Sequence, residues 1–356
     1  MITKNINFKN FVIKIKKFQI SKKLRLLLNQ NNRILSTLRP EYKYSYNNRI
    51  ISKFKKSSSF TLIGMGGSIL GAQAIYDFLK YKIKKNFLFI NNIDSNLILS
   101  HKKNNVNLII SKSGNTLETI VNANIFIKKK DRNIFITEHT NNYLLNLGKK
   151  IKAEIIEHRN YIGGRYSVLS EVGMLPAELM GLNEKKFKQF NNLIKNKKFL
   201  NSLVSNVESI LYFIKKDKFT SIILNYDERS DNLFKWYQQL VAESLGKKSK
   251  GILPIISSMP KDNHSLMQLY LDGPKKSFYT FFHIFNKQSI KIKSKELFSK
   301  SKYLISKDLN KIIYSQKIAT ENVFKRKKIP FRSFEIFNRD EKTLGELFTF
   351  FILETI

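Results

Sequence analysis

The stretch that most constrains the fold is residues 107–116, Asn-Leu-Ile-Ile-Ser-Lys-Ser-Gly-Asn-Thr, where an apolar run ends abruptly in hydroxyls, one lysine and one glycine. Leu108–Ile110 has the continuous apolar character of a buried parallel strand, and Thr116–Val121 opens a helical pattern. The loop between them therefore lies at a helix N-terminus, where free N–H groups and the positive end of the helix dipole favour an anion.

Four side chains of this loop can donate hydrogen bonds to a phosphate group: Ser111, Lys112, Ser113 and Thr116. Gly114 allows the backbone to approach a ligand closely. The simpler interpretation is that Ser and Thr only cap the helix, as they do at most helix starts. The loop alone leaves both interpretations open.

A second strand–turn–helix unit lies upstream of this loop. Phe60–Ile63 predicts a buried strand, Gly64-Met65-Gly66-Gly67-Ser68 a tight turn, and Ile69–Leu79 a helix. A glycine turn between a strand and a helix lets the backbone approach a phosphate. The spacing of these glycines differs from the dinucleotide-binding fingerprint. That fingerprint also needs an acidic residue at the end of a second strand, and Asp94, after Phe87–Ile90, is the only candidate for it. A nicotinamide cofactor is therefore disfavoured.

Strand and helix patterns alternate along the rest of the chain. Further strands are predicted at Phe87–Ile90, Ile134–Ile136, Ile155–Ile156, Ser221–Leu224, Phe278–Ile284 and Phe331–Ile336. Further helices are predicted at Val168–Met180, Leu233–Leu245, Ala319–Lys328 and Thr343–Thr355. The alternation predicts an α/β fold of two doubly wound, mostly parallel sheets with flanking helices, and ligand-binding loops at the carboxyl ends of the strands.

The same patterns suggest a domain division. We expect a helical and polar extension at 1–59, with two short packing helices between Phe18 and Leu38. A first domain then spans 60–190 and a second 191–356, and the polar, Lys-rich segment 183–201 bridges them.

The composition restricts the class of protein. The 356 residues include no Cys, which excludes disulfides, thiolate catalysis and Cys-ligated metals. Met1–Lys17 lacks the continuous apolar core of a signal peptide, and the most apolar long window, Phe60–Leu79, contains four glycines and Asp77. We therefore expect a cytoplasmic protein that does not span a membrane.

The net charge of +37 attracts polyanions. However, the excess Lys is spread along the whole chain, and neither zinc-finger spacing nor paired aromatics in a basic strand occur. A specific nucleic-acid partner is therefore disfavoured, whereas a small anionic substrate suits the charge.

Three further groups are candidates for chemistry, each with a simpler alternative. Arg165 follows Gly163-Gly164, where its fixed charge can stabilise an oxyanion or merely bond carbonyls. Gln239 and Glu243 stand four residues apart and share a helix face. Glu243 can act as a base with a raised pKa if the site is dry, or it is a solvated glutamate. His264 lies in a polar loop, where histidines are usually incidental.

Together these residues resemble the glucose-6-phosphate isomerase (phosphoglucose isomerase) family, which is built of two sugar-isomerase (SIS) domains. Five separated motifs match in order over roughly residues 60–350. They are Gly64–Ser68, Ser111–Thr116, Gly163-Gly164-Arg165-Tyr166-Ser167, Gln238–Lys247 and His264-Ser265 followed by Gln268-Leu269.

The resemblance implies the reversible conversion of glucose 6-phosphate to fructose 6-phosphate, in glycolysis and gluconeogenesis. It assigns Glu243 to proton transfer between C1 and C2 through a cis-enediolate, Arg165 to charge stabilisation and His264 to ring opening. It assigns the remaining residues to the substrate and its phosphate: Gly67, Ser68, Ser111, Lys112, Ser113, Thr116, Gly164 and Gln239. It also implies a homodimer in which His264 comes from the neighbouring subunit, with no metal and no nucleotide cofactor. A non-catalytic sugar-phosphate sensor is the alternative, but a sensor has no reason to keep the three catalytic residues.

The sequence departs from the family pattern at its end. Family members carry an Asp-Gln pair and an active-site lysine beyond the segment that begins here with Thr343-Leu344-Gly345-Glu346, and the sequence stops at Ile356. Lys342 precedes the segment and is not the counterpart of that lysine. We expect a truncated chain or one that works without the lysine. We also expect an exposed apolar face, and hence reduced stability or solubility, from residues that the missing element normally covers: Leu347, Phe348, Phe350, Phe351 and Ile352.

Overall fold

A computed structural model describes residues 1–13, 19–30, 32–95, 104–128, 130–286, 289–293 and 299–356, except for the side chains of residues 299 and 300. Phe18, at the start of the predicted packing helices, lies outside the described residues. The strands are β1 (Ile6–Lys9), β2 (Ser59–Gly64), β3 (Asn86–Ile90), β4 (Asn105–Ile110), β5 (Arg132–Thr137), β6 (Glu154–Glu157), β7 (Thr220–Asn225), β8 (Leu253–Ser258), β9 (Ser277–Ile284) and β10 (Phe331–Ile336).

The α-helices of the described residues connect or follow these strands. They are α1 (Ile20–Asn29), α2 (Arg33–Ser36), α3 (Asn48–Phe54), α4 (Leu70–Phe78), α5 (Leu117–Phe126), α6 (Tyr143–Lys150), α7 (Glu171–Leu179), α8 (Phe190–Ile194), α9 (Lys197–Lys215), α10 (Asp231–Leu245), α11 (Met267–Asp272), α12 (Leu309–Arg326) and α13 (Glu341–Thr355). Among these residues, no helix has both the length and the apolar character that a membrane crossing requires.

The first sheet is entirely parallel, with the order β3-β2-β4-β5-β6. Every strand predicted between residues 60 and 156 is present in it. The central strands β2 and β4 are buried on both faces, which explains the apolar runs Leu62-Ile63 and Leu108–Ile110 within them. The parallel order brings the loops after β2, β4 and β5 to one edge of the sheet.

The second sheet has the order β1-β10-β9-β7-β8 and is parallel except for β1, which runs antiparallel to β10. The predicted α/β class with two mostly parallel sheets is confirmed. Two strands of the second sheet, β1 and β8, were not predicted from the sequence. In β1, Ile6 and Phe8 are buried while Asn7 and Lys9 bond to Glu335, and in β8 a proline within the run obscures the strand pattern.

Several predicted helices differ from the structure at their ends. The helix predicted from Val168 begins only at Glu171, because the preceding residues form a 3₁₀ turn and Ser170 caps α7. The helix predicted from Ala319 begins ten residues earlier, where Asp308 caps α12. Leu309, Ile312 and Ile313 stand at helical spacing in the first turns of α12, so the sequence carried a helical pattern there that the prediction left out.

The prediction that the last helix exposes an apolar face is wrong. All five named residues of α13, Leu347, Phe348, Phe350, Phe351 and Ile352, are fully buried. Phe350 packs against Phe8 of β1 and Phe199 of α9, with ring centroids 5.3 and 5.9 Å apart. Trp236 of α10 covers Phe348 at 4.8 Å. Elements within this chain thus cover the helix. The predicted loss of stability depended on an exposed apolar face, which these five residues do not form.

The two halves share one core. Helix α4 of the first half packs against α10 of the second and against α7, and the side chain of Asn232 donates a hydrogen bond to Asp77 across this contact. One hydrophobic cluster includes Leu62 and Leu108 of the first sheet together with Phe282 of the second. The domain division at residue 190 stays a prediction.

A buried histidine of β9 gives the fold a pH-dependent stability. His283 is 1% exposed, and neither ring nitrogen has a hydrogen-bond partner among the described residues. Burial, with a contribution from the Lys317 ammonium, lowers the pKa of His283 to about 4 from 6.5. The unfolded chain therefore takes up a proton on His283 before the folded chain does as pH falls.

We expect His283 to contribute stability that is complete above pH 6.5 and is lost as pH falls toward 4, by about 3 kcal/mol in all. His283→Phe, which keeps an aromatic ring beside Phe285 and Tyr314, should remove this loss. Urea unfolding of both proteins between about pH 7.5 and pH 4.5 measures it. A constant difference in unfolding free energy between parent and variant across this range would contradict the expectation.

Candidate active site

The loop after β4 forms one wall of a cavity of about 290 Å³. The cavity is lined by Ser68, Ser111, Lys112, Ser113, Thr116 and Glu138. Five of these were predicted from the sequence to hold a phosphate. We call these six residues the cradle.

The hydroxyl of Thr116 does not cap α5. Thr116 occupies the N-cap position, but its side chain accepts no hydrogen bond from the first helical turn. Its Oγ1 instead lies 3.0 Å from Oγ of Ser111, which is buried. The capping interpretation therefore fails for Thr116, and the first amides of α5 keep their capacity to bind an anion.

At position 114 glycine is required by backbone conformation and packing rather than by close approach to a ligand. Its φ is +67°, and a Cβ at this position would overlap the side-chain amide of Asn142 and lie 2.8 Å from Oγ1 of Thr137. Asn142 caps α6, and Leu144 of that helix donates a hydrogen bond to the Gly114 carbonyl. The glycine thus locks the cradle loop against α6.

The glycine turn after β2 contacts the Gly-Gly-Arg turn before α7. A Cβ on Gly67 would overlap the carbonyl group of Gly164 and lie 2.7 Å from the amide nitrogen of Arg165. Oγ of Ser167 bridges the two turns, donating to the carbonyl oxygen of Gly164 at 2.6 Å and lying 3.4 Å from that of Gly67. Two motifs about a hundred residues apart in the sequence therefore form one continuous backbone surface beside the cradle.

Because of this contact, we expect Gly67→Ala to lower the free energy of unfolding by about 2–3 kcal/mol. The backbone of one of the two turns must move to admit the methyl group. Gly164→Ala is the matched control for stability. Its Cβ would lie 3.8 Å from Cα of Gly67, an ordinary contact, so we expect a change below about 1 kcal/mol. Urea unfolding of both variants measures the difference, and equal losses would show that the turns separate easily.

Arg165 and Glu243 form an ion pair on the same surface. Nη1 of Arg165 lies 3.2 Å from Oε1 of Glu243, and the amide of Gln239 donates to the other carboxylate oxygen at 3.3 Å. Oε1 of Gln239 is buried without a partner among the described residues. A Cβ on Gly66 would come within 2.8 Å of the Gln239 amide, so this side chain also contacts the glycine turn.

Arg165 is fixed from several sides. Its Nε donates to Oγ of Ser244 at 2.7 Å, its guanidinium lies 4.7 Å from the ring centroid of Tyr166, and its backbone carbonyl accepts from Trp236. By contrast, 51% of the Glu243 side chain is exposed in the single chain. The dry surroundings that the sequence hypothesis requires do not exist around this carboxylate in one chain alone. The position of the Glu243 carboxylate is set by its contacts with Arg165 and Gln239.

A family profile of phosphoglucose isomerase matches residues 49–285 of this sequence. The chain belongs to the phosphoglucose isomerase family. The matched range contains every site residue predicted from the sequence.

Individual relatives agree with this assignment. The sequence is 37% identical over 260 residues to the glucose-6-phosphate isomerase of Methanocaldococcus jannaschii, covering 65% of this chain and 62% of that protein. It is 34% identical over 330 residues to the glucose-6-phosphate isomerase of Mycoplasmopsis pulmonis, covering 84% of this chain and 77% of that protein. In fold it is similar to a hypothetical protein from Thermus thermophilus, with a TM-score of 0.80, 20% identity and coverage of 94% and 86%.

His264, which the family resemblance also assigns to the site, makes no bond to the other assigned residues within the described ranges. His264 is exposed after the 3₁₀ turn Lys261–Asn263 that follows β8. Within the described ranges, no hydrogen bond or ion pair joins it to Arg165 or Glu243. One chain of this isomerase-family protein thus brings together the cradle, the glycine turns, Arg165, Gln239 and Glu243, but not His264.

Sequence analysis missed two side chains of the site. Ser244 holds Arg165, and its hydroxyl also lies 2.8 Å from the Tyr166 hydroxyl. It lies inside the matching motif Gln238–Lys247, but it was given no role there. Glu138 lines the cradle. It lies two residues beyond the strand predicted at Ile134–Ile136, beside β4, so the rule that parallel strands end at one edge would have found it.

Proposed function

We propose that this chain interconverts glucose 6-phosphate and fructose 6-phosphate. The observation that carries the proposal is that Arg165 and Gln239 both contact the glycine turn that borders the cradle and both bond to Glu243. An anion site and a base paired with a fixed cation are thereby held on one surface. The names of the relatives support the same activity.

The cradle would hold the phosphate of the substrate and so position the open-chain sugar. The hydroxyls of Ser68, Ser111, Ser113 and Thr116, the Lys112 ammonium and the first amides of α5 supply donors for its oxygens. Because the phosphate does not change during the reaction, this binding is uniform between ground state and transition state.

Glu243 would take the proton from C2 of the open-chain aldose and return it to C1, while the proton of the C2 hydroxyl passes to O1. No atoms or electrons are gained or lost. The intermediate is a cis-enediolate, whose negative charge Arg165 would stabilise with its guanidinium. Gln239 would orient Glu243 through its amide.

His264 would assist ring opening by moving a proton to or from the ring oxygen. Its exposure, and the lack of a bond to Arg165 or Glu243 among the described residues, support contribution to a second chain's site rather than to its own. We therefore include a homodimer in the proposal, with His264 crossing the interface. A role in glycolysis and gluconeogenesis in the cytoplasm would follow from this activity.

The proposal is tested by converting fructose 6-phosphate to glucose 6-phosphate with the purified chain, using Glu243→Gln as the blank. We expect turnover by the parent and almost none by the blank. In a parallel binding titration at high salt, the chain should still bind fructose 6-phosphate but no longer bind RNA. Salt screens the non-specific attraction between RNA and the net charge of +37. Phosphosugar binding without turnover by the parent would instead indicate a sugar-phosphate sensor.

A further inference from the structure

A carboxylate lines the cradle, although the cradle is built to bind an anion. Glu138 directly follows β5, and its side chain is 20% exposed. Among the described residues that line the cavity, Glu138 is the one acid and Lys112 the one base. The remaining four are neutral hydroxyl side chains, so the side-chain charges of the cradle sum to zero.

Glu138 and Lys112 are tied to each other by both backbone and side chain. The amide of Glu138 donates to the carbonyl oxygen of Lys112 at 3.0 Å, which fixes the two residues on adjacent strand ends. Oε1 of Glu138 lies 3.6 Å from Nζ of Lys112, close enough for an ion pair but longer than a good hydrogen bond. The same Nζ donates to the carbonyl oxygen of Asn160 at 2.6 Å.

A phosphate entering the cradle meets this pair. The Lys112 ammonium has three donors, and one of them is already bonded to Asn160. The phosphate must share the ammonium with a resident carboxylate, and its own negative charge is repelled by that carboxylate in the same small cavity. The carboxylate therefore opposes the binding that the rest of the cradle favours.

We propose that Glu138 sets the affinity of the cradle by acting as the counter-ion of Lys112, which weakens phosphate binding. The inference rests on the proposed isomerase function, because it assigns the cradle to the substrate phosphate. Since the phosphate is remote from C1 and C2, Glu138 acts equally on the bound substrate and on the transition state. Its charge thus raises KM and leaves kcat unchanged.

The decisive variant is Glu138→Gln, which keeps the shape of the side chain and removes its charge. We expect KM for fructose 6-phosphate to fall about 5- to 10-fold, with kcat within about 2-fold of the parent. Glu138→Asp retains the charge and should retain most of the weak binding. If Glu138 only holds Lys112 in place, Glu138→Gln should instead raise KM, and that result would overturn the proposal.

Glu157→Gln is the matched control, because Glu157 ends the next strand of the same sheet, is exposed and does not line the cradle. It makes the same change in net charge, so a fall in KM equal to that of Glu138→Gln would mean that bulk charge alone is responsible and would also overturn the proposal.

Calorimetric titration with inorganic phosphate separates this inference from the proposed function, since it requires no turnover. Tighter phosphate binding by Glu138→Gln than by the parent and by Glu157→Gln supports the role of Glu138, even if the parent fails to isomerise the sugar. Equal phosphate binding by all three proteins rejects that role, even if the isomerase activity is present.

Discussion

Replacing Glu243 with glutamine is expected to lower kcat for fructose 6-phosphate isomerisation by about 10²–10⁴-fold, the contribution typical of a positioned acid–base group. The amide has nearly the shape of the carboxylate and can still accept a hydrogen bond from Arg165, but it cannot accept the proton from carbon. Because the cradle is untouched, we expect KM to change by less than about 5-fold. The loss should therefore appear in kcat alone.

Steady-state kinetics with purified parent and variant give both constants. Exchange of the C2 proton of glucose 6-phosphate with solvent deuterium gives an independent test, since it requires proton abstraction but not product release. The control is Glu228→Gln, which makes the same charge change at an exposed residue just before the N-terminus of α10, whereas Glu243 lies near the C-terminus of that helix. This control should leave both rates near those of the parent. Proton exchange in Glu243→Gln at more than about a tenth of the parent rate would assign the base elsewhere.

Replacing Arg332 with methionine is expected to lower the free energy of unfolding by about 3–5 kcal/mol. Arg332 of β10 is fully buried and forms an ion pair with Glu354 of α13. Its guanidinium also donates to Asn206 at 2.8 Å and to Thr280 at 2.9 Å. Methionine fills much of the same volume but leaves the Glu354 carboxylate buried without its cation, which is the costly part of the change.

The second variant separates charge from packing. Adding Glu354→Gln to Arg332→Met removes the uncompensated charge and keeps an acceptor for the amide of Asn206, so part of the lost stability should return. Lys53→Met breaks the half-exposed pair with Glu154 and should cost no more than about 1 kcal/mol. Urea unfolding measures all three. If the double variant is no more stable than Arg332→Met, the loss comes from packing rather than from the buried charge.

Local sequence determined the framework of the fold. The runs at Phe60–Ile63 and Leu108–Ile110 are apolar without long interruption because both faces of a central parallel strand are buried, and this pattern needs no knowledge of the partner strands. The turns that follow these runs carry the glycines, hydroxyls and lysine of the proposed anion site. Strand, turn and cradle were therefore predictable from neighbouring residues.

The family resemblance, more than periodicity, selected the residues beyond the cradle. Arg165, Gln239 and Glu243 each had a common structural alternative when considered singly. The five motifs in order removed much of that ambiguity, and the structure places these three side chains in contact. Their chemical roles stay predictions until the variants are measured.

Tertiary structure alone decided the features that depend on distant partners. Strand β1 forms because β10 offers a free edge, and α13 is buried because β1, α9 and α10 close over it. Gly67 touches Gly164, and Arg165 touches Glu243, only because α4, α7 and α10 pack together. Periodicity reports whether a face is buried, but not which element buries it, since that choice is made by packing between residues far apart in the chain.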